Sequence, residues 1–263
     1  MGWTLAITGK GGVGKTTIAA MAVRWLLEHR RGPVLAVDAD PNTSLDALLG
    51  VRARSTVGGV REEAKRLAAE PSAGGMGKTD LLDLKIQEAL IEADGFDLIA
   101  MGRPEGPGCY CYANNVLRSV LARLAGHYPS VVIDNEAGLE NLSRRTVQKA
   151  DLLLFVAEPS ARGLATARRL HDLALEMGVE VGRSAAVVNR LRGGDALDRA
   201  RALFAGTSVE VLGGIPEDGG IADRDAAGDA VFGLPSASPA WTAMAAILAR
   251  ALTVSTPDGG RTL

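Results

Sequence analysis

The sequence predicts a doubly wound α/β domain, a mostly parallel sheet of about seven to eight strands with helices on both faces. Three observations carry this. Short apolar, β-branched runs recur along the chain, as strands covered on both sides require. They alternate with amphipathic segments whose apolar residues follow a helical period. A glycine-rich loop at residues 9–17 joins the first such run to the first such segment. At 263 residues the chain can build one large core, and no composition shift marks a linker. One domain is therefore expected over residues 1–253, followed by a short polar tail, 254–263, expected to be disordered.

Composition removes several function classes. The formal charge of −2 leaves no basic footprint for nucleic acid. No charged-then-apolar leader precedes the first strand and no apolar run approaches a membrane span, so a cytoplasmic protein without a membrane partner is expected. Two cysteines in a reducing compartment suit metal or redox chemistry better than a structural disulfide.

Taken in order, the apolar run 4–8 is the first strand. It enters Gly9-Lys10-Gly11-Gly12-Val13-Gly14-Lys15-Thr16-Thr17, which fits G-x-x-x-x-G-K-[ST] between strand and helix. The glycines permit close backbone approach. Successive N–H groups of Gly11, Gly12, Val13, Gly14, Lys15, Thr16 and Thr17 can then converge on phosphate oxygens at the positive end of the helix. Lys15 is expected to reach the β and γ phosphates, and the Thr16 hydroxyl to sit on Mg²⁺. The alternative is a glycine-rich turn that packs a helix on a strand. Within the helix, Ile18, Met21, Trp25 and Leu26 share one face. His29, Arg30 and Arg31 complement its dipole in the last turn, and Gly32-Pro33 ends it. The run 34–37 delivers Asp38-Ala39-Asp40-Pro41-Asn42 to the carboxyl edge of the sheet, where ligands bind in open α/β sheets. Turn chemistry alone would also favour Asp, Pro and Asn there.

Residues 44–49, 60–67 and 81–93 read as helices, 71–77 as a loop, and 96–101 as the next strand. Gly77-Lys78-Thr79 mimics a second phosphate loop but lacks the first glycine, Ser72 standing in its place. After residue 101 a Gly/Pro-rich stretch holds both cysteines, Cys109 and Cys111, ahead of a helix over 113–124. One C-x-C supplies two thiolates, whereas a closed soft-metal site wants four ligands; two subunits about a two-fold axis would supply all of them. A position just before a helix also favours the thiolate. A buried inert pair and a redox dithiol are the alternatives.

The strand 131–134 ends in Asp134, placed to hold Mg²⁺ through water; the competing reading is a turn residue. His127 before Tyr128-Pro129 reads as part of a turn. The strand 152–156, Glu158-Pro159-Ser160, a helix over 163–177 and the strand 185–189 follow, the last with Asn189-Arg190 at its tip. The strand 209–212, the loop to Asp218 and a closing helix over 240–252 complete the chain.

Lys10 is a second lysine in the loop, one the basic motif does not demand, and Lys-Gly-Gly-x-x-Gly-Lys-Thr resembles the deviant Walker A loop of the MinD/ParA/nitrogenase-iron-protein ATPases. The resemblance implies a homodimer that sandwiches two nucleotides, with Lys10 crossing to the partner's phosphates; a solvated loop charge is the alternative. It makes Asp40 the residue that positions the attacking water, so that Lys10, Lys15 and Asp40 form the catalytic set. It places Asp38 and Asp134 around Mg²⁺ and residues 134–138 in switch II. A guanine reader would want Asn-Lys-x-Asp, and Arg192 stands where that Asp belongs. The family's adenine-side asparagine fits Asn189 instead, with Arg190 beside it and Pro216 in the loop that covers the base, so ATP is expected over GTP; a strand-terminal cap is the other reading of Asn189. The stretch 101–112, with Asp-Asn-Glu-Ala-Gly-Leu-Glu at 134–140, resembles the CooC-type maturation ATPases of nickel carbon monoxide dehydrogenase and the related acetyl-CoA synthase factor. That likeness implies an intersubunit Ni²⁺ site at Cys109 and Cys111, open also to Zn²⁺, and one of those enzymes as client. Three rivals share the loop. An iron–sulfur carrier would place its cysteines on separate loops or in C-P-x-C. An ATP-dependent ligase of the cobyrinic-acid amidase or dethiobiotin type has no need of C-x-C. A positioning ATPase predicts a basic face or a membrane helix.

Overall fold

A computed structural model of the chain describes residues 2–29, 32–59, 87–103, 117, 121, 123–138 and 149–253. They form one eight-stranded sheet in the order β3-β4-β2-β5-β1-β6-β7-β8. The strands are β1 (Trp3–Gly9), β2 (Val34–Asp38), β3 (Ile91–Glu92), β4 (Phe96–Ala100), β5 (Ser130–Asp134), β6 (Lys149–Ala157), β7 (Glu180–Leu191) and β8 (Val209–Pro216). All pairings are parallel except β3 with β4. The doubly wound α/β fold expected from the sequence is therefore the fold observed.

Helix α1 (Lys15–His29) follows the phosphate loop and buries Ile18, Met21, Trp25 and Leu26, the face its period marks. His29 caps it from the surface, Nδ1 lying 2.9 Å from the Trp25 carbonyl oxygen. Helix α2 (Leu45–Leu49) is short and ends at Gly50 in the left-handed region, φ 77°. Helices α3 (Ala161–Glu176), α4 (Ala196–Phe204) and α6 (Pro239–Thr253) pack on β6, β7 and β8, while α5 (Gly219–Ala227) buries no residue. The core divides between the two faces of the sheet. One half packs α1, α2 and α6 against Leu5, Ile7, Val34, Leu98 and Leu154. The other packs α3 and α4 against Leu35, Val37, Ile133 and Phe155.

One expectation is corrected. A helix was expected over 81–93, yet Ile91–Glu92 is a strand, antiparallel to β4. Asp94-Gly95 explains it: Gly95 adopts φ 79°, and the Ala93 N–H donates to the Phe96 carbonyl at 2.9 Å, closing a tight hairpin. Edge pairing with β4 then takes the backbone groups that a helix would have used. Helices α4 and α5 are additions to the expected set. Ala196, Ala200 and Phe204 are buried at a four-residue interval, a period readable in the sequence. Among the described residues no helix is long and apolar enough to cross a membrane. The helix expected at 60–67, the loop at 71–77, the mimic at 77–79 and the tail from 254 lie outside the described residues.

Candidate functional site: a nucleotide site at the carboxyl edge

Strand order gathers the site. β1 lies between β5 and β6, and β5 also pairs with β2, with Asp38 in register with Asp134 and Ile7 with Asp134. Neighbouring strands lie roughly 4.8 Å apart, so both carboxylates stand beside the mouth of the phosphate loop. Two further ties extend the edge: Asn135 Nδ2 donates to the Ile7 carbonyl at 2.9 Å, and the Gly138 N–H donates to the Gly9 carbonyl at 3.4 Å.

The loop is shaped for close approach. Gly12 and Gly14 adopt φ 75° and 91°, and a Cβ on Gly14 would fall 2.4 Å from Asn189 Nδ2. That amide nitrogen donates to the Val13 carbonyl at 2.8 Å, and Arg190 Nη1 donates to the Gly12 carbonyl at 3.0 Å. The tip of β7 thus braces the phosphate loop from behind. Arg190 does so from the left-handed region, φ 57°, which non-glycine residues seldom adopt. A cleft of about 610 Å³ opens beside it, lined by Thr17, Glu158, Asn189, Arg190, Pro216 and Asp218 among others. Four of the residues singled out for nucleotide contact therefore share one cavity.

Lys15 is buried and its Nζ donates to the Lys10 carbonyl at 3.3 Å. Burial pulls its ammonium below the ordinary lysine value, while the carboxylates of Asp134, Asp40 and Glu136 pull the other way. Asp134 is 1% exposed; burial raises its carboxyl to about 7, against a hydrogen bond from Thr16 and the charge of Lys15. Its Oδ1 is buried without a hydrogen-bond partner. A carboxylate oxygen left bare beside the Thr16 hydroxyl is what a water-mediated Mg²⁺ shell would use, so these residues fit the cation.

Asp38 is fully buried and engaged by the backbone. Its Oδ1 accepts from Asp40 N–H at 3.0 Å, and its Oδ2 from Ser44 and Leu45 N–H at 2.8 and 2.9 Å. Burial pushes its carboxyl up and these three amides draw it back. Asp38 thus ties down the loop that carries Asp40. Asp40 itself is half-buried, facing Lys15. Lys10 points outward, its Nζ 3.4 Å from Glu158 Oε1. Sequence reasoning did not assign the pairings of Lys10 with Glu158 and of Asn42 with Arg103; no local pattern announces such long-range pairs. Cys109 and Cys111 lie outside the described residues.

A phosphate loop at the centre of a mostly parallel sheet, with a cleft beside it and a strand-terminal carboxylate next to the loop threonine, defines a P-loop nucleotide hydrolase. Comparison with known proteins narrows the class. The signature of the CobQ/CobB/MinD/ParA nucleotide binding domain matches residues 4–231, and the chain belongs to that family, as an ATPase. An ATP-binding protein of Methanocaldococcus jannaschii is 41% identical over 88% of this chain and 91% of its own. The carbon monoxide dehydrogenase accessory protein CooC of Rhodospirillum rubrum is 33% identical over 94% of this chain and 96% of its own. Among solved structures, a ParA family ATPase from Chlorobium tepidum superposes with TM-score 0.70 at 20% identity, covering 93% of this chain and 96% of that one. MinD of Pyrococcus horikoshii, complexed with Mg-ADP, gives 0.69 at 21% identity over 97% and 98%. At such identities the structures speak for the fold alone.

Proposed function

We propose that this chain, through one domain over residues 1–253, is a cytoplasmic homodimeric ATPase that binds nickel at Cys109 and Cys111 and assists its insertion into carbon monoxide dehydrogenase. The observation that carries the reading is a C-x-C stretch in a chain similar over nearly its whole length to the CooC accessory protein.

In this reading the N–H groups from Gly11 to Thr17 hold the phosphates and Lys15 balances the charge of the β and γ groups. The Asn189 amide has its nitrogen committed to Val13, which leaves its oxygen to accept from the adenine amino group, with Arg190 and Pro216 along the base cleft. Mg²⁺, when bound, neutralises charge on the β and γ oxygens. Thr16 and Asp134 hold that cation, and Asp38 supports the shell by fixing the adjoining loop. Asp40 orients a water for attack on the γ-phosphorus, and the products are ADP and phosphate. Lys10 leaves Glu158 and crosses to the partner's phosphates. The cargo is one soft divalent ion held by two thiolates from each subunit, a set that would also take Zn²⁺. The client could equally be acetyl-CoA synthase, whose maturation factor is the related resemblance.

The test is metal content of protein purified under reducing conditions, followed by nickel titration with ATP, with ADP and without nucleotide. One nickel per dimer is expected, lost in either Cys109→Ser or Cys111→Ser. One ion per monomer, persisting in dilute monomeric protein, overturns the shared site. Equal nickel affinities in all three nucleotide states overturn the delivery mechanism.

A further inference from the structure

We infer that Asn42 and Arg103 are positioning residues for Asp40, fixing one oxygen of its carboxylate and leaving the other to the attacking water. The inference rests on the reading of Asp40 as the residue that orients that water.

Asp40 Oδ1 accepts twice from Asn42, from the backbone N–H at 2.8 Å and from Nδ2 at 3.0 Å. The first contact alone is an Asx turn, which Asp before Pro41 favours anyway. The second is no part of such a turn. It commits the Asn42 side chain to the carboxylate and saturates the same oxygen, so the carboxylate cannot rotate freely. The other end of the amide, Asn42 Oδ1, accepts from Arg103 Nη2 at 2.5 Å. Arg103 stands beyond the end of β4, on a different strand from the loop it grips. A guanidinium has donors only and a carboxylate acceptors only, so the asparagine between them can face in one sense alone. Arg103 thereby sets which end of Asn42 meets Asp40, and each hydrogen bond to a charged group is of the stronger kind.

Backbone strain in the same loop is a separate observation. Thr43, β-branched, adopts φ 47° in the left-handed region, and its Oγ1 is buried without a partner. Strain of this sort persists where the surroundings over-determine the conformation, and it concentrates at functional loops. The Asp38 carboxylate ties this loop from inside, through the amides of Asp40, Ser44 and Leu45. Arg103 ties it from outside, through a contact exposed to solvent that has little bearing on folding.

Steady-state ATP hydrolysis by the full chain with Mg²⁺ tests the assignment. Asn42→Ala should lower kcat about 10-fold or more and leave KM for ATP within about twofold, since a misplaced group costs turnover and not ground-state binding. Arg103→Ala should lower kcat by a smaller factor in the same pattern, and Arg103→Lys should recover part of it. Because the two residues act in series, the double variant should be no slower than Asn42→Ala alone. Multiplied penalties in the double variant, or a wild-type rate in Arg103→Ala, overturn the assignment. Asp40→Asn separates the two levels. If it hydrolyses ATP at the wild-type rate, the role of Asp40 fails and the relay loses its purpose; if it is inactive while Arg103→Ala is unchanged, the relay alone falls.

Discussion

Asp134, proposed above to hold Mg²⁺, is a buried carboxyl that weighs on stability when no cation is bound. Its carboxyl is raised to about 7 by burial, whereas in an unfolded chain it ionises at the ordinary aspartate value of 3.8. Between those values the folded state holds a proton that the unfolded state has released, so this group lowers stability steadily as pH rises from about 4 to about 7, and adds no further loss above it. Asparagine mimics the protonated form at every pH. Asp134→Asn should therefore melt higher than wild type in nucleotide-free, Mg²⁺-free protein, with a gap that widens from pH 5 to pH 7 and is level from pH 7 to pH 8. Thermal melts at those three values check it, and a gap independent of pH would show that Asp134 is charged throughout. Asn189 is the second residue whose effect can be stated. Its buried bond to Val13 braces the phosphate loop, and losing it should cost about 1–3 kcal/mol, so Asn189→Ala should weaken ATP binding roughly 5- to 150-fold by calorimetry.

Elements set where those residues can act. Helix α1 carries Lys15 and Thr16 at its first turn, and its far half is clamped by α6, with Arg24 lying 3.9 Å over the Trp241 ring and donating to the Leu234 carbonyl. Trp241 is 5% exposed, so Trp241→Ala should cost about 3–5 kcal/mol in urea unfolding. The phosphate end of α1 is anchored separately through Asn189, and KM for ATP should stay within about twofold where the variant is folded. A large rise in KM would mean that α6 also shapes the nucleotide site. The helix expected over 81–93 fails at its end for an element-scale reason. Its apolar spacing suits a helix, but Asp94-Gly95 closes a hairpin and β4 offers an edge, and the paired strand wins there.

For the whole molecule, the proposed dimer requires an exposed lysine to change partners. Lys10 pairs with Glu158 at 3.4 Å with more than a third of each side chain in water, a contact worth at most about 1 kcal/mol. Releasing it to a partner therefore costs little. Glu158→Gln should tighten ATP-dependent dimerisation by no more than about fivefold, whereas Lys10→Ala should bind ATP and fail to dimerise with it. Sedimentation with ATP decides both, and an intact ATP-dependent dimer in Lys10→Ala removes the crossing role. If dimerisation couples the two ligands, nickel must change ATP affinity by the same factor by which ATP changes nickel affinity, typically about 5- to 150-fold.

The sequence by itself determined what local chemistry determines. The glycines and lysines of residues 9–17, the apolar β-branched runs and the helical period of α1 are each legible within one short window, because backbone freedom and burial periodicity act over a few residues. Those windows sufficed for the doubly wound fold, the phosphate loop and the family. Tertiary structure decided what stands beside what. Placing β1 between β5 and β6, with β2 on the far side of β5, brings Asp38 into register with Asp134, and nothing near either residue encodes that neighbour. The same holds for Asn189 against Val13, Glu158 against Lys10 and Arg103 against Asn42. Strand order and register follow from how the whole apolar surface packs, so partners distant in sequence become visible only once the sheet is assembled.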